Sequence, residues 1–305
     1  MTILVAGGSG LVGSAIVQEF LNNQVNVSGV SSTEVDLRER SETFEFIEKA
    51  KPKIIINAAA KVGGINYNSS NPVEFLLDNL KIQNNLIEAA HIHGVEKFVF
   101  LGSSCIYPKN CPQPIKEEYL MSGQLETTNA SYAIAKIAGI ELVKSYRREY
   151  GKKWISVIPT SVYGPKDNFD LKTSHVIPSM IKKFKHAIEN DLSEVTFLGT
   201  GLPLREFIYS SDLARAILIC VMEYDSDEPI NIGTGSEISI KDLATLISSI
   251  VGFSGSILWD DSWPDGTPRK LLDSTKIRDM GWESKVSLEK GLESEIDWYS
   301  NSLRF

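Results

Sequence analysis

Along the first half of the chain, short apolar runs alternate with longer stretches in which apolar residues return every three to four positions. Residues 3–6, 53–60 and 97–101 are apolar runs too short for a helix, and residues 25–30 alternate apolar with polar; each predicts a strand. Between them, the recurrence through Ala15, Ile16, Phe20 and Leu21, and the stretches 41–50 and 75–93, predict helices with one apolar face. Strands alternating with helices at this spacing imply crossover connections, a parallel sheet, and helices covering both of its faces.

The rhythm changes after Pro165. Residues 154–158 predict one more strand, but 166–174 are polar and predict a loop, followed by a helix of mixed charge over 176–189. Residues 205–233 predict a return to the main sheet, with an apolar helix at 213–222. The remainder has short helical stretches around a turn-rich centre, Trp263-Pro264-Asp265-Gly266-Thr267-Pro268. This pattern divides the chain into a sheet domain, residues 1–165 plus about 205–235, and a smaller discontinuous α/β domain, about 166–204 plus 236–305.

Composition narrows the classes. A chain of 305 residues, 42% hydrophobic and 23% charged, suits two domains or one large α/β unit and excludes a mainly disordered protein. A net charge of −8 argues against a broad basic surface for nucleic acid, so any anionic ligand must meet a local cluster of positive groups. Three cysteines, Cys105, Cys111 and Cys220, are too few for a disulfide framework and fit a reducing compartment. With no secretory pattern at the start, no window near the roughly 18 apolar residues of a membrane span and no metal-ligand spacing, we expect a cytoplasmic protein that engages neither membrane nor metal.

Gly7, Gly10 and Gly13 follow the first strand directly as Gly-x-x-Gly-x-x-Gly, with Leu11 and Val12 opening the first helix. A turn there needs residues that tolerate positive φ and lack a Cβ, so that backbone N–H groups and the positive helix end can approach a pyrophosphate. The expected fold is therefore a Rossmann-type doubly wound sheet holding a dinucleotide at this turn, with Ala59 facing it from the end of the third strand. At the end of the second strand, Ser31 and Ser32 offer two hydroxyls and no immediate carboxylate, which favours NADP(H) over NAD, although no arginine stands ready for a 2′-phosphate and Glu34 is close. Asp36 either falls near the adenine or caps a loop.

Tyr132 and Lys136 are four apart in a helical stretch and share one helix face. A tyrosine ionises near pH ~10, and a nearby ammonium that stabilises phenolate makes it a usable proton donor. Ser103 or Ser104 adds a hydroxyl just beyond the fourth strand, where α/β sheets carry their ligands. On its own chemistry Cys105 also fits a packing residue, and His175 a helix cap.

In this chain order, the glycine turn, Ser103, Tyr132 and Lys136 resemble the short-chain dehydrogenase/reductase superfamily, its extended, nucleotide-sugar branch in particular. Ala59-Ala60-Lys61-Val62-Gly63-Gly64, Gly102-Ser103-Ser104-Cys105-Ile106-Tyr107-Pro108, residues 132–139, Ser174-His175-Val176-Ile177-Pro178 and Pro264-Asp265-Gly266-Thr267-Pro268-Arg269-Lys270 are similar to the GDP-L-fucose synthases over nearly the whole length. That resemblance implies an NADPH-dependent epimerase-reductase that inverts carbons 3 and 5 of GDP-4-keto-6-deoxy-mannose and then reduces carbon 4. It implies that Cys105 and His175 are the acid–base pair, with His175 also bordering the coenzyme. Tyr132 is implied as proton donor, Lys136 as the group that lowers its pKa and holds the nicotinamide ribose, and Ser103 as the group that orients the carbonyl oxygen.

The GDP-sugar needs the local cluster that the net charge demands, and Lys183, Arg205 and Lys270 are the candidates; by resemblance Arg205 contacts the diphosphate or ribose, and Lys183 stands where some relatives carry arginine. Ser161 replaces an amide common in the family, and Leu198 replaces an aromatic before the Gly-Thr-Gly turn. A homodimer through the helix of Tyr132 and its neighbour is the family expectation. Two alternatives stay open: a C4-reductase of another GDP-4-keto-6-deoxy sugar, such as a heptose or dideoxyhexose, and a noncatalytic dinucleotide-binding regulator.

Overall fold

In the computed structural model, which describes residues 2–302, the predicted alternation runs β1 (Ile3–Ala6), α1 (Leu11–Asn22), β2 (Val27–Val30), α2 (Arg40–Ala50), β3 (Ile54–Asn57), α3 (Ile65–Ser70), α4 (Pro72–Ile92), β4 (Lys97–Leu101), α5 (Ala130–Tyr150) and β5 (Ile155–Pro159). There follow β6 (Ser161–Tyr163), α6 (Val176–Glu189), β7 (Glu194–Leu198), β8 (Leu204–Tyr209), α7 (Ser210–Glu223), β9 (Ile230–Ile232), β10 (Glu237–Ser239), α8 (Ile240–Val251), β11 (Ser256–Asp260), β12 (Arg269–Lys270), α9 (Thr275–Asp279) and α10 (Leu288–Ser302).

The main sheet has the order β2-β1-β3-β4-β5-β9, and every pairing in it is parallel. Strands β1, β3, β5 and β9 are buried along their whole length, which is why β1 and the first three residues of β3 read as apolar runs rather than alternating ones. On one face, Ile16 and Phe20 of α1 meet Leu213 and Ile217 of α7; on the other, Ile47, Leu86, Ile140 and Val143 bring in α2, α4 and α5. The fold is the doubly wound α/β arrangement that the pattern predicts. Among the described residues, no helix is long and apolar enough to cross a membrane.

The stretch 205–233 departs from expectation. Only α7 and β9 rejoin the main sheet, whereas β8 lies in a second sheet, parallel to β6 and β12 and antiparallel to β10. The reason is polar. A central strand of the main sheet is apolar on both faces, but β8 carries Arg205-Glu206, and the buried Glu206 carboxylate needs donors. It finds them in the N–H groups of Gly235 (2.7 Å) and Leu272 (3.0 Å), which lie beside β10 and β12. A third core joins Phe184 of α6, Phe197 of β7, Leu243 of α8 and Leu292 of α10.

The C-terminal ends of β1, β3 and β4 carry the glycine turn, Ala59 and Ser103. The strand order reverses between β1 and β3, and that is where sheets of this kind open a crevice for a ligand.

Candidate active site

The glycine turn is shaped by backbone packed against backbone. Gly7 has φ +77°, and a Cβ on it would meet Ala59 Cα at 2.9 Å; a Cβ on Gly13 would run into the Gly7 carbonyl, and one on Gly8 into Gly29. The N–H groups of Gly7 and Gly8 both bond the Val30 carbonyl at 2.9 Å, fixing the turn to the end of β2. Gly10 stands at the N-cap of α1 without a side-chain cap, so the first N–H groups of the helix stay open to an anion. This cradle, which any side chain would fill, fits a dinucleotide pyrophosphate, and Gly7, Gly10, Leu11, Val12, Gly13 and Ala59 all border it.

At the end of β2, Glu34 reaches back to Ser31: its Oε2 accepts from Ser31 N at 2.8 Å and from Ser31 Oγ at 2.6 Å. The carboxylate that the sequence places close by therefore joins the hydroxyls at the strand end. Ser32 is exposed beside it. Asp36 is gripped by Arg38 through both carboxylate oxygens, at 2.9 and 2.7 Å, and also accepts the Arg38 N–H at 3.0 Å, the loop-cap alternative; the guanidinium holds its pKa down to about 2.

Tyr132 and Lys136 share the face of α5 turned to β4. The Lys136 Nζ donates to the Leu101 carbonyl at 2.8 Å and lies 5.8 Å from the centre of the Tyr132 ring. Burial pulls the Lys136 pKa down to about 8. Burial, and then the neighbouring Cys105 side chain, push Tyr132 well above its ordinary value, while the Ser103 hydroxyl acts in the opposite direction. Ser103 caps a single 3-10 turn, Ser104–Ile106, and accepts the Cys105 N–H at 3.3 Å, which fixes where the thiol projects.

Lys270 closes the arrangement. Its Nζ donates to Cys105 Sγ at 3.5 Å across 165 positions of sequence, and its charge, after burial, lowers the His175 pKa. His175 is the N-cap residue of α6. Lys270 pairs in register with Arg205 on the next strand; the Arg205 guanidinium is pulled down by burial and held up by the charges of Cys105 and Asp265. Ser103, Cys105, Tyr132, Lys136, His175, Arg205 and Lys270 thus converge. Lys183 is turned to β7, donating to the Thr196 carbonyl at 2.9 Å, and Leu198 is 44% exposed at the end of that strand, so these two stand off the cluster.

Sequence reading missed two carboxylates here. Asp265 accepts the Thr200 N–H (2.8 Å) and hydroxyl (2.7 Å), stapling the turn after Leu198 to the Pro-Asp-Gly turn before Lys270. Glu126, buried and paired with Lys109 at 2.8 Å, caps the 3-10 turn that leads into α5 by accepting the Thr128 N–H at 3.3 Å. Only the latter had a local cue, an acid immediately ahead of a helical turn.

Residues 3–233 match the NAD dependent epimerase/dehydratase family. The chain is 48% identical over 299 residues to the "Probable GDP-L-fucose synthase 1" of Oryza sativa subsp. japonica, covering 97% of this chain and 91% of that protein. Among solved structures, it superposes on a GDP-6-OMe-4-keto-L-xylo-heptose reductase from C. jejuni with TM-score 0.92 at 32% identity, covering 99% and 98% of the two chains. A GDP-L-fucose synthetase from Naegleria fowleri bound to NADP gives TM-score 0.90 at 31% identity over 99% and 95%.

Proposed function

The chain belongs to the NAD dependent epimerase/dehydratase family and, within it, to the GDP-L-fucose synthases, and from that premise we propose how its residues turn GDP-4-keto-6-deoxy-mannose into GDP-L-fucose with NADPH. A 4-keto sugar has acidic hydrogens on both carbons that flank the carbonyl, so inverting carbons 3 and 5 needs one group to take a proton and another to give one. Burial and Lys270 keep His175 neutral at pH 7, so an imidazole nitrogen is open to accept. Cys105 is the partner group, and the Lys270 Nζ that donates to its Sγ at 3.5 Å would stabilise negative charge on the sulfur during the exchange.

When bound, the reduced nicotinamide supplies hydride to carbon 4. The alkoxide that results takes a proton from Tyr132, whose raised pKa keeps it protonated until then, while Ser103 orients the oxygen and the buried Lys136 charge stabilises the phenolate. Arg205 serves the GDP diphosphate beside this cluster, with Lys183 and Leu198 at the outer rim.

The observation that carries the reading is the convergence of two sets of groups on Cys105: Ser103 and Tyr132 from the main sheet, Lys270 and Arg205 from the second. Incubating the protein in deuterated water with GDP-4-keto-6-deoxy-mannose tests it. Deuterium should enter carbons 3 and 5 without NADPH, and GDP-L-fucose should form once NADPH is added. Absence of exchange with intact NADPH oxidation would leave a C4-reductase of another GDP-4-keto-6-deoxy sugar, such as a heptose or dideoxyhexose, and NMR of the product would identify it.

We also propose the division of labour that the sequence suggests, residues 1–165 with about 205–235 for the coenzyme and the remainder for the sugar nucleotide, in the cytoplasm, where the free cysteines stay reduced. A homodimer through α4 and α5 is supported by Val73, Leu77 and Ile134, large apolar side chains exposed on these two packed helices. Leu77→Glu with Ile134→Glu should halve the mass seen by analytical ultracentrifugation.

A further inference from the structure

In a sheet of this order the adenosine ribose of the coenzyme lies at the C-terminal end of β2, and the groups offered there decide between a hydroxyl and a phosphate at its 2′ position. Here the turn after β2 is built around a carboxylate. Glu34 Oε2 accepts from both the N–H and the hydroxyl of Ser31, at 2.8 and 2.6 Å, and Ser31 Oγ lies 2.8 Å from Thr33 Oγ1, so backbone and side chains together hold the charge at the strand end. Those hydrogen bonds favour the ionised form and lower the Glu34 pKa.

Among the described residues, no lysine or arginine is paired with Glu34. Neither lysine nor arginine occurs before Arg38, so β1, the glycine turn, α1 and β2 bring no positive side chain to the site. Arg38 is already engaged: it forks onto Asp36 at 2.9 and 2.7 Å and reaches Asp78 at 3.3 Å. A 2′-phosphate would bring about two negative charges beside Glu34 with no free guanidinium to receive them, whereas a ribose diol would meet a carboxylate acceptor for its hydroxyls.

We infer that Glu34 is a specificity-determining residue that opens the coenzyme site to NADH, so that the chain reduces its sugar with NADH as well as with NADPH. The inference rests on the reading above that a reduced dinucleotide occupies the glycine turn. NADPH is then held mainly through its pyrophosphate at Gly7, Gly10 and Gly13, against repulsion at the ribose. NADH gives up nothing at that position.

The test uses the full chain, the keto sugar and both coenzymes. Parent kcat/KM for NADH should fall within about tenfold of that for NADPH, and Glu34→Arg should move the ratio toward NADPH by about 100-fold, the scale of turning a like-charge contact into an opposite one. Glu34→Gln should move it the same way by less. Salt gives an independent sign: raising it from about 20 to about 200 mM shortens the Debye length, so the parent should bind NADPH more tightly relative to NADH, and Glu34→Gln should lose most of that trend. Dissociation constants from coenzyme fluorescence, measured without sugar, separate the two levels of failure. If neither coenzyme binds, the proposed function falls. If both bind but the parent favours NADPH by more than about 100-fold, or Glu34→Arg leaves the ratio unchanged, only the role of Glu34 is overturned.

Discussion

Lys136 is a charged group held where charge is costly, and its two roles can be separated. Its folded pKa, about 8, lies below the ordinary 10.5, so the fold disfavours the ammonium. That penalty is fully present below pH 8, shrinks as pH rises from there, and is gone above 10.5, where both states are neutral. Lys136→Met should therefore raise the melting temperature at pH 7, by about 2–4 °C for each kcal/mol of penalty left after the Leu101 bond is lost, and the gain should narrow toward pH 10. Scanning fluorimetry across that range checks it, with reduction lost in the same variant. Tyr132→Phe makes the complementary cut. If the phenol acts as proposed, giving its proton at carbon 4 and taking no part at carbons 3 and 5, NADPH oxidation should fall by about 10²–10⁴ while solvent deuterium still enters the sugar. Near-parental oxidation would remove Tyr132 from its role.

At the scale of elements, His175 depends on a strap that no periodicity announces. Residues 61–64 run from β3 toward α3 and lie against the chain just before α6: the Gly64 N–H bonds the Thr173 carbonyl at 3.1 Å, and a Cβ on Gly64 would meet the Ser174 carbonyl at 2.6 Å. Gly64→Ala must push Ser174 and its neighbour outward. Deuterium exchange should then slow by about tenfold or more, since displacements near 1 Å can cost 10²-fold, while the NADPH dissociation constant stays at the parent value. The same contrast shows what was legible in the sequence. Strands β1, β3 and β4 and helices α5 and α6 announce themselves because burial imposes a pattern on adjacent residues. The six residues of α3, mostly polar, carry no such pattern, and β8 looked like a strand of the main sheet because a strand's sequence does not say which neighbour it pairs with. In the site, Tyr132 and Lys136 are readable from one helical turn. The contact of Lys270 with Cys105 is not, because it is made by β12 docking against β8, far along the chain from the thiol.

Across the whole molecule, the third core hides an acid pair outside the catalytic cluster, and it sets how stability responds to pH. Glu295, on α10, is fully buried with no hydrogen-bond partner for either side-chain oxygen, and Asp167, in the loop ahead of α6, has one buried oxygen likewise without a partner. Burial, reinforced by the charge of Asp167, raises Glu295 well above the carboxylate range; burial raises Asp167 to about 7 against the pull of the Asn168 N–H at 2.7 Å. Both groups are thus more easily protonated folded than unfolded. Their stabilising effect is full below the unfolded pKa and is lost as pH climbs through the folded one, which is the reverse of a salt-bridged carboxylate. The melting temperature should accordingly fall between about pH 5 and pH 8, and Asp167→Asn with Glu295→Gln, which keep shape and remove the ionisation, should flatten that slope and leave the protein more stable than the parent at pH 8. A double variant that loses stability as steeply as the parent would place the pH response elsewhere. Because the pair lies in the core shared by α6 and α10 rather than against Cys105 or Tyr132, the ratio of exchange to reduction should be the same in parent and double variant at any pH where both are folded.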